Sequence, residues 1–168
     1  MIIGMRGHDF GRMEPRALAL AIREAGFEAT QLAFAKAFPA PAEQYMTPGA
    51  LSEIRSAFAG IVLPVMGCYV SASDRDPDVL AEAKARFKRS LSASAILGAG
   101  CVGTETTHFT FPESEREAAY ARLLDFTREV CAHAEQVHAL VGIEPVALHT
   151  LNTPELARRL LADVSRPH

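Results

Sequence analysis

Short apolar runs alternate along the chain with longer segments in which apolar residues recur every three to four positions. The runs cover residues 2–5, 29–34, 61–70, 101–106 and 139–146. Within them apolar and polar residues do not alternate cleanly, which predicts strands buried on both faces of a parallel sheet. The segments between them predict helices. Glu14-Pro15 opens the first, Leu18, Ala21, Ile22 and Ala25 form its inner face, and Gly26 stops it. Thr47-Pro48 opens the second, ahead of Leu51, Ile54 and Phe58. Asp76-Pro77 opens the third, with Leu80, Ala83, Phe87 and Leu91 along one side. Pro112 and Ser114 open the fourth, whose stripe runs from Ala119 through Leu123, Phe126, Val130 and Ala134 to Val137. Thr153-Pro154 opens the fifth, with Leu156, Leu160 and Val164 inward.

Five strand–helix units in succession predict an α/β domain with a parallel sheet and right-handed crossovers, spanning residues 1–168 as a single domain. Two architectures fit. One is a partial TIM barrel of five consecutive βα units, with strand order 1-2-3-4-5. The other is a flavodoxin-like doubly wound sheet, with order 2-1-3-4-5. At about 34 residues per unit, eight units would take about 270 residues, near the ~250 typical of the closed barrel.

Composition narrows the class of partner. Hydrophobic residues make up 49% and charged residues 22%, ordinary for a globular chain. Seventeen Lys and Arg against 20 Asp and Glu leave a net charge of −3, which supplies no general attraction for nucleic acid or an anionic membrane. No apolar stretch approaches the ~18 residues of a membrane span, and the N-terminal run is too short for a signal peptide. Cys68, Cys101 and Cys131 form no CxxC pair, which argues against a disulfide framework or structural zinc site. A cytoplasmic protein is the expectation.

In either architecture the chemistry sits at the C-terminal ends of the strands. The polar groups delivered there are His8 and Asp9, Gln31 and Lys36, Cys68, Tyr69 and Ser71, Thr104 to Thr106 with His108, and Glu144 followed by His149. Glu144 closes an apolar strand and precedes Pro145, and a carboxylate in such a place needs a cation or hydrogen-bond donors. A divalent metal and a Lys or Arg ion pair are both open. Glu105 occupies the equivalent place on the fourth strand. No GxSxG, Walker A or HExxH motif occurs, and Gly98-Ala99-Gly100 reads as a helix cap because it precedes a strand.

The ordered segments GMRGHDFG, ILGAGCVGTETTHF and VGIEPVALHTLNTPELARRLLADV resemble the sugar phosphate isomerase/epimerase superfamily, the xylose isomerase-like TIM barrels whose fold endonuclease IV shares. GIEPV followed by HTLNTPELARRLL is the most specific piece, supported by ILGAG, TET and the GCYVS turn at residues 67–71. The resemblance runs over essentially the whole chain and covers the family's first five βα units. It implies metal-assisted proton transfer next to the carbonyl of a sugar or sugar phosphate. In the family a divalent metal (Mn, Mg, Co or Zn) is held by four side chains on strands five to eight, and the first of them matches Glu144. Glu144 is therefore the expected metal ligand and one of two acid–base groups. His8, Cys68, Glu105 and His149 are the candidate substrate contacts. The units carrying the other ligands are not among these five, so a chain lacking the last three βα units would hold no divalent ion tightly. The alternatives are a non-catalytic partial-barrel oligomer or ligand-binding module, and, less in keeping with the acidic balance, an endonuclease-like phosphodiesterase. Two unpaired sheet edges predict a homo-oligomer, most simply a dimer.

Overall fold

The computed structural model describes residues 1–165. Residues 166–168, where the sequence suggests an exit toward a sixth strand, lie outside the described residues. Five strands form where the apolar runs place them: β1 (Gly4–Arg6), β2 (Ala29–Gln31), β3 (Val65–Gly67), β4 (Cys101–Glu105) and β5 (Val141–Glu144). All strand pairings are parallel: β1 with β2, β3 with β4, and β4 with β5. Two isolated bridges, Ala29 with Val62 and Leu32 with Met66, join the two groups. The Thr30 amide donates to the Val62 carbonyl at 2.9 Å, and the Gly67 amide to that of Leu32 at 3.0 Å. The order is therefore 1-2-3-4-5, that of an open segment of a TIM barrel and not of the flavodoxin sheet.

The strands are shorter than their apolar runs. Residues 61–70 contribute only three strand residues, because Pro64 has no amide to offer the ladder. The run at 29–34 turns at Leu32, and its last residue opens a single-turn helix, α2 (Phe34–Ala37), that the sequence period is too short to signal. Burial also differs from expectation. Along β4, Val102 and Thr104 are buried while Cys101, Gly103 and Glu105 are half-exposed. One face of the sheet is packed against helices, and the other is open and concave.

The major helices are α1 (Pro15–Glu24), α3 (Pro48–Ala57), α4 (Pro77–Leu97), α5 (Arg116–Val137) and α6 (Pro154–Val164). Four begin with proline in the first turn, where its missing amide costs nothing. Three of those carry a working cap. Thr47 Oγ1 accepts from the Ala50 amide, Asp76 from that of Asp78, and Thr153 from that of Leu156. At the fourth sequence-predicted helix, Glu113–Glu115 makes a 3₁₀ turn first, and α5 starts at Arg116. Gly98 ends α4 with φ of 70°, the left-handed cap read from the sequence. Phe87 and Leu91 of α4 pack on Leu123, Phe126 and Val130 of α5, all fully buried. Each such side chain contributes about 1.5–3 kcal/mol of burial.

Hydroxyl side chains tie together the loops that follow β3, β4 and β5. Ser73 Oγ and Thr150 Oγ1 lie 2.8 Å apart, both buried. The Ser73 amide donates to Thr107 Oγ1 at 2.8 Å, and the Leu151 amide to Thr106 Oγ1 at 3.2 Å. Burial makes these bonds worth keeping, since any one broken leaves an unsatisfied partner. They fix the rim at the C-terminal ends of the strands.

Candidate active site

Parallel register sets the centre of this rim. Glu105 pairs with Glu144, and Gly103 with Gly142. Residues paired in register project from the same face, so both side chains leave the sheet on its concave side, from backbones about 4.8 Å apart. Among the described residues neither has an ion-pair partner. Gly67 and Tyr69 share that face. A Cβ on Gly67 would lie 3.1 Å from Tyr69 Cε2, so the missing side chain makes room for the ring.

Tyr69 connects the remaining groups. Gln31 Nε2 donates to its hydroxyl at 2.9 Å, which leaves the phenolic proton free for an incoming oxygen. Lys36 Nζ sits 3.6 Å above the ring centroid. Burial raises the Tyr69 pKa above the usual phenol value, and the negative charges of Glu105 and Glu144 push the same way, against the Gln31 bond and Arg6. The phenol therefore keeps its proton in the neutral range. A shallow pocket of about 300 Å³ lies over this face, with Gln31, Tyr69, Gly103 and Glu144 among its walls.

His8 stands in the turn Gly7–Phe10 just after β1. Burial lowers its pKa below the ordinary imidazole value; Lys36 and Arg6 add to that and Asp9 opposes it. It is thus mostly neutral at pH 7, within the field of the same Lys36 that covers Tyr69. Its Nδ1 is buried without a protein partner, and so is Nδ1 of His149. Unsatisfied buried ring nitrogens of this kind call for a ligand or water. His149 is set apart from the carboxylates by its loop. It bridges antiparallel to His108, and the two rings meet edge to face at 5.6 Å.

Cys68 is placed elsewhere. Strand alternation turns it away from Gly67 and Tyr69 toward α4, where its thiol meets Ser90 and is buried. Burial raises its pKa, so it is a poor nucleophile. The residue of this turn that reaches the concave face is Tyr69. The period of two along β3 already puts Tyr69, and not Cys68, on the side of Glu105.

The chemistry available is that of two carboxylates, a protonated phenol, an amide and a neutral imidazole around an open face. Carboxylate oxygens suit hard divalent cations. Among the described residues, however, no group of three or more His, Cys, Asp or Glu side chains is gathered as a metal site. The described helices include none long and apolar enough to cross a membrane.

A family model described as xylose isomerase-like TIM barrel matches residues 19–168. No curated protein matches the chain in sequence. Solved structures do match in fold. The apo 3-keto-D-glucoside 4-epimerase YcjR from E. coli aligns with a TM-score of 0.83 at 17% identity, over 100% of this chain and 66% of that one. A D-psicose 3-epimerase determined in the presence of D-fructose gives 0.77 at 20% identity, over 99% and 61%. The IOLI protein with a binding zinc atom gives 0.77 at 18%, over 99% and 60%. The chain thus spans about two thirds or less of the length of these structures.

Proposed function

The chain belongs to the xylose isomerase-like TIM barrel family, and from that premise we propose that its concave face serves a sugar or sugar phosphate isomerase or epimerase. The observation that carries this reading is the Glu105–Glu144 register pair beside Tyr69. Paired carboxylates accept hydrogen bonds from vicinal hydroxyls, and one of them can take the proton next to a carbonyl. Glu144 is the group we assign to that proton and to a divalent metal. Such a metal, when bound, would polarise the carbonyl and hydroxyl oxygens. Glu144 would supply one place in its shell, with Glu105 next to it. Tyr69 donates its free proton to a sugar oxygen, while Gln31 holds the ring in place. His8, neutral and with one unpartnered nitrogen, accepts from a hydroxyl. His149 and Cys68 support the reading less, being turned to a loop contact and to α4.

The test is solvent deuterium uptake. Ketohexoses and their phosphates are incubated with the protein and Mn²⁺ in D₂O and followed by NMR. We expect slow exchange at the carbon next to the carbonyl, lost in Glu144→Gln. Sugar binding without any exchange would overturn the isomerase reading. It would favour the second one, a non-catalytic ligand-binding module.

We also propose that the chain associates with a second copy. β1 and β5 are edge strands in the described sheet, and Leu140, Leu148 and Leu161 are exposed around β5 and α6. Light scattering at micromolar concentration should give twice the 18.1 kDa chain mass; a stable monomer would count against it. Among the described residues Cys68, Cys101 and Cys131 form no disulfide, which suits a reducing, cytoplasmic setting.

A further inference from the structure

Beside Tyr69 lies a second cavity of about 160 Å³ between α2, the turn Ala42–Met46 and α4. Lys36, Arg86 and Arg89 line it together with Ser90 and Cys68, and Glu43 is the one carboxylate in its wall. Arg86, Arg89 and Ser90 stand at i, i+3 and i+4, so α4 turns all three to the same side. Arg86 is half-buried and has no ion-pair partner among the described residues. Arg89 reaches only Glu82, in a solvent-exposed pair at 2.9 Å that can open at little cost.

Three cations against one carboxylate, in a chain of net charge −3, is a local excess that packing does not require. Like charges gathered around a cavity repel one another, and an anion between them relieves that repulsion. Arginine forks match tetrahedral and planar oxyanions with two parallel hydrogen bonds. The volume suits such a group, since an engineered cavity of about 150 Å³ accepts benzene, which has one more heavy atom than phosphate. Tyr69 belongs to the walls of both this cavity and the pocket over the carboxylate face, and Lys36, in the wall of this one, covers its ring.

We propose that this cavity is a phosphate subsite, held by Arg86 and Arg89, with Lys36 and the Ser90 hydroxyl completing it. Its occupant is the phosphate end of the sugar whose carbonyl end lies at Glu105 and Glu144. This second half rests on the isomerase reading; phosphate binding itself does not.

Calorimetric titration of the full chain with inorganic phosphate at low salt tests the pocket. Saturable one-site binding is expected, weakened about tenfold or more in Arg86→Gln and untouched in Arg158→Gln, whose partner lies on the surface of α6. Peptide-resolved alkylation provides a readout that misfolding would move the opposite way: phosphate should slow labelling of Cys68, whereas an unfolded variant would label faster. Absence of saturable binding by the folded protein, or unchanged binding in Arg86→Gln, would overturn the pocket. A hexose 6-phosphate separates the two sources of the anion. Tighter binding than inorganic phosphate, lost in Glu144→Gln while phosphate binding persists, supports the substrate assignment. Equal binding of both, indifferent to Glu144→Gln, overturns that assignment.

Discussion

Replacing Glu144 with glutamine should make the protein more stable, not less. Glu105 and Glu144 are register partners on one face, their backbones about 4.8 Å apart, and neither has an ion-pair partner among the described residues. Two unit charges at about 5 Å repel by ~0.8 kcal/mol in bulk water and by ~3 kcal/mol at an effective dielectric of about 20. Glu144 is exposed and Glu105 only half-buried, so solvent screening keeps the figure near the lower end, about 1 kcal/mol. For a domain of this size that is a rise of about 2–4 °C in melting temperature. Urea unfolding and calorimetry at low salt measure it. The gain should fade near 1 M salt, where the screening length falls to about 3 Å. Glu105→Gln should give a similar gain, and the double variant little more than either, since one repulsion is removed only once. Such strain, tolerated in the resting protein, marks a site built for a ligand. If Glu144→Gln is destabilising, or its gain ignores salt, Glu144 has a structural partner and the carboxylate pair loses its functional meaning.

Gly67→Ala would bring a methyl group 3.1 Å from the Tyr69 ring and 3.0 Å from Ala33 Cβ. The expected cost is about 1–3 kcal/mol in urea unfolding, with loss of any sugar-induced shift at Tyr69; an unaltered Tyr69 resonance would show that the ring is not seated there. Tyr120, buried and bonded to Asp163 at 2.6 Å, has its pKa pushed up to about 12. Because the folded state holds this proton more tightly than the unfolded one, its contribution is complete below pH ~10 and is lost as pH rises toward 12. Absorbance at 295 nm should show a late-titrating tyrosine that moves earlier in Asp163→Asn. Asp76→Ala removes the cap on α4 and should cost about 1 kcal/mol, read as a lower urea midpoint with unchanged slope.

Much of the scaffold is legible in the sequence, and the reasons are local. Thr47-Pro48, Asp76-Pro77 and Thr153-Pro154 mark helix starts because cap and proline act within one turn. The strands are located but overdrawn, since apolar runs do not say where a ladder stops; Pro64 does, once its missing amide is considered. The open sheet face is not legible, because burial of a run depends on what packs across it. At the site, Glu105 and Glu144 follow from their place at strand ends, while their pairing needs the register. Choosing Cys68 over Tyr69 is a matter of parity along β3, which the period of two could have decided. The meeting of His108 with His149 joins loops about forty residues apart and leaves no sequence signal. The same holds for Lys36 lining one cavity with Arg86 and Arg89, where only the spacing on α4 hints at a shared face.

The central claim, that the concave carboxylate face receives a sugar, is tested most directly by an NMR titration of the isotope-labelled chain with a ketohexose. The account predicts saturable shifts clustered at Gln31, Tyr69, Glu105 and Glu144, abolished by Glu144→Gln while the fold is retained. Shifts that avoid these four residues, or that survive unchanged in Glu144→Gln, would contradict it.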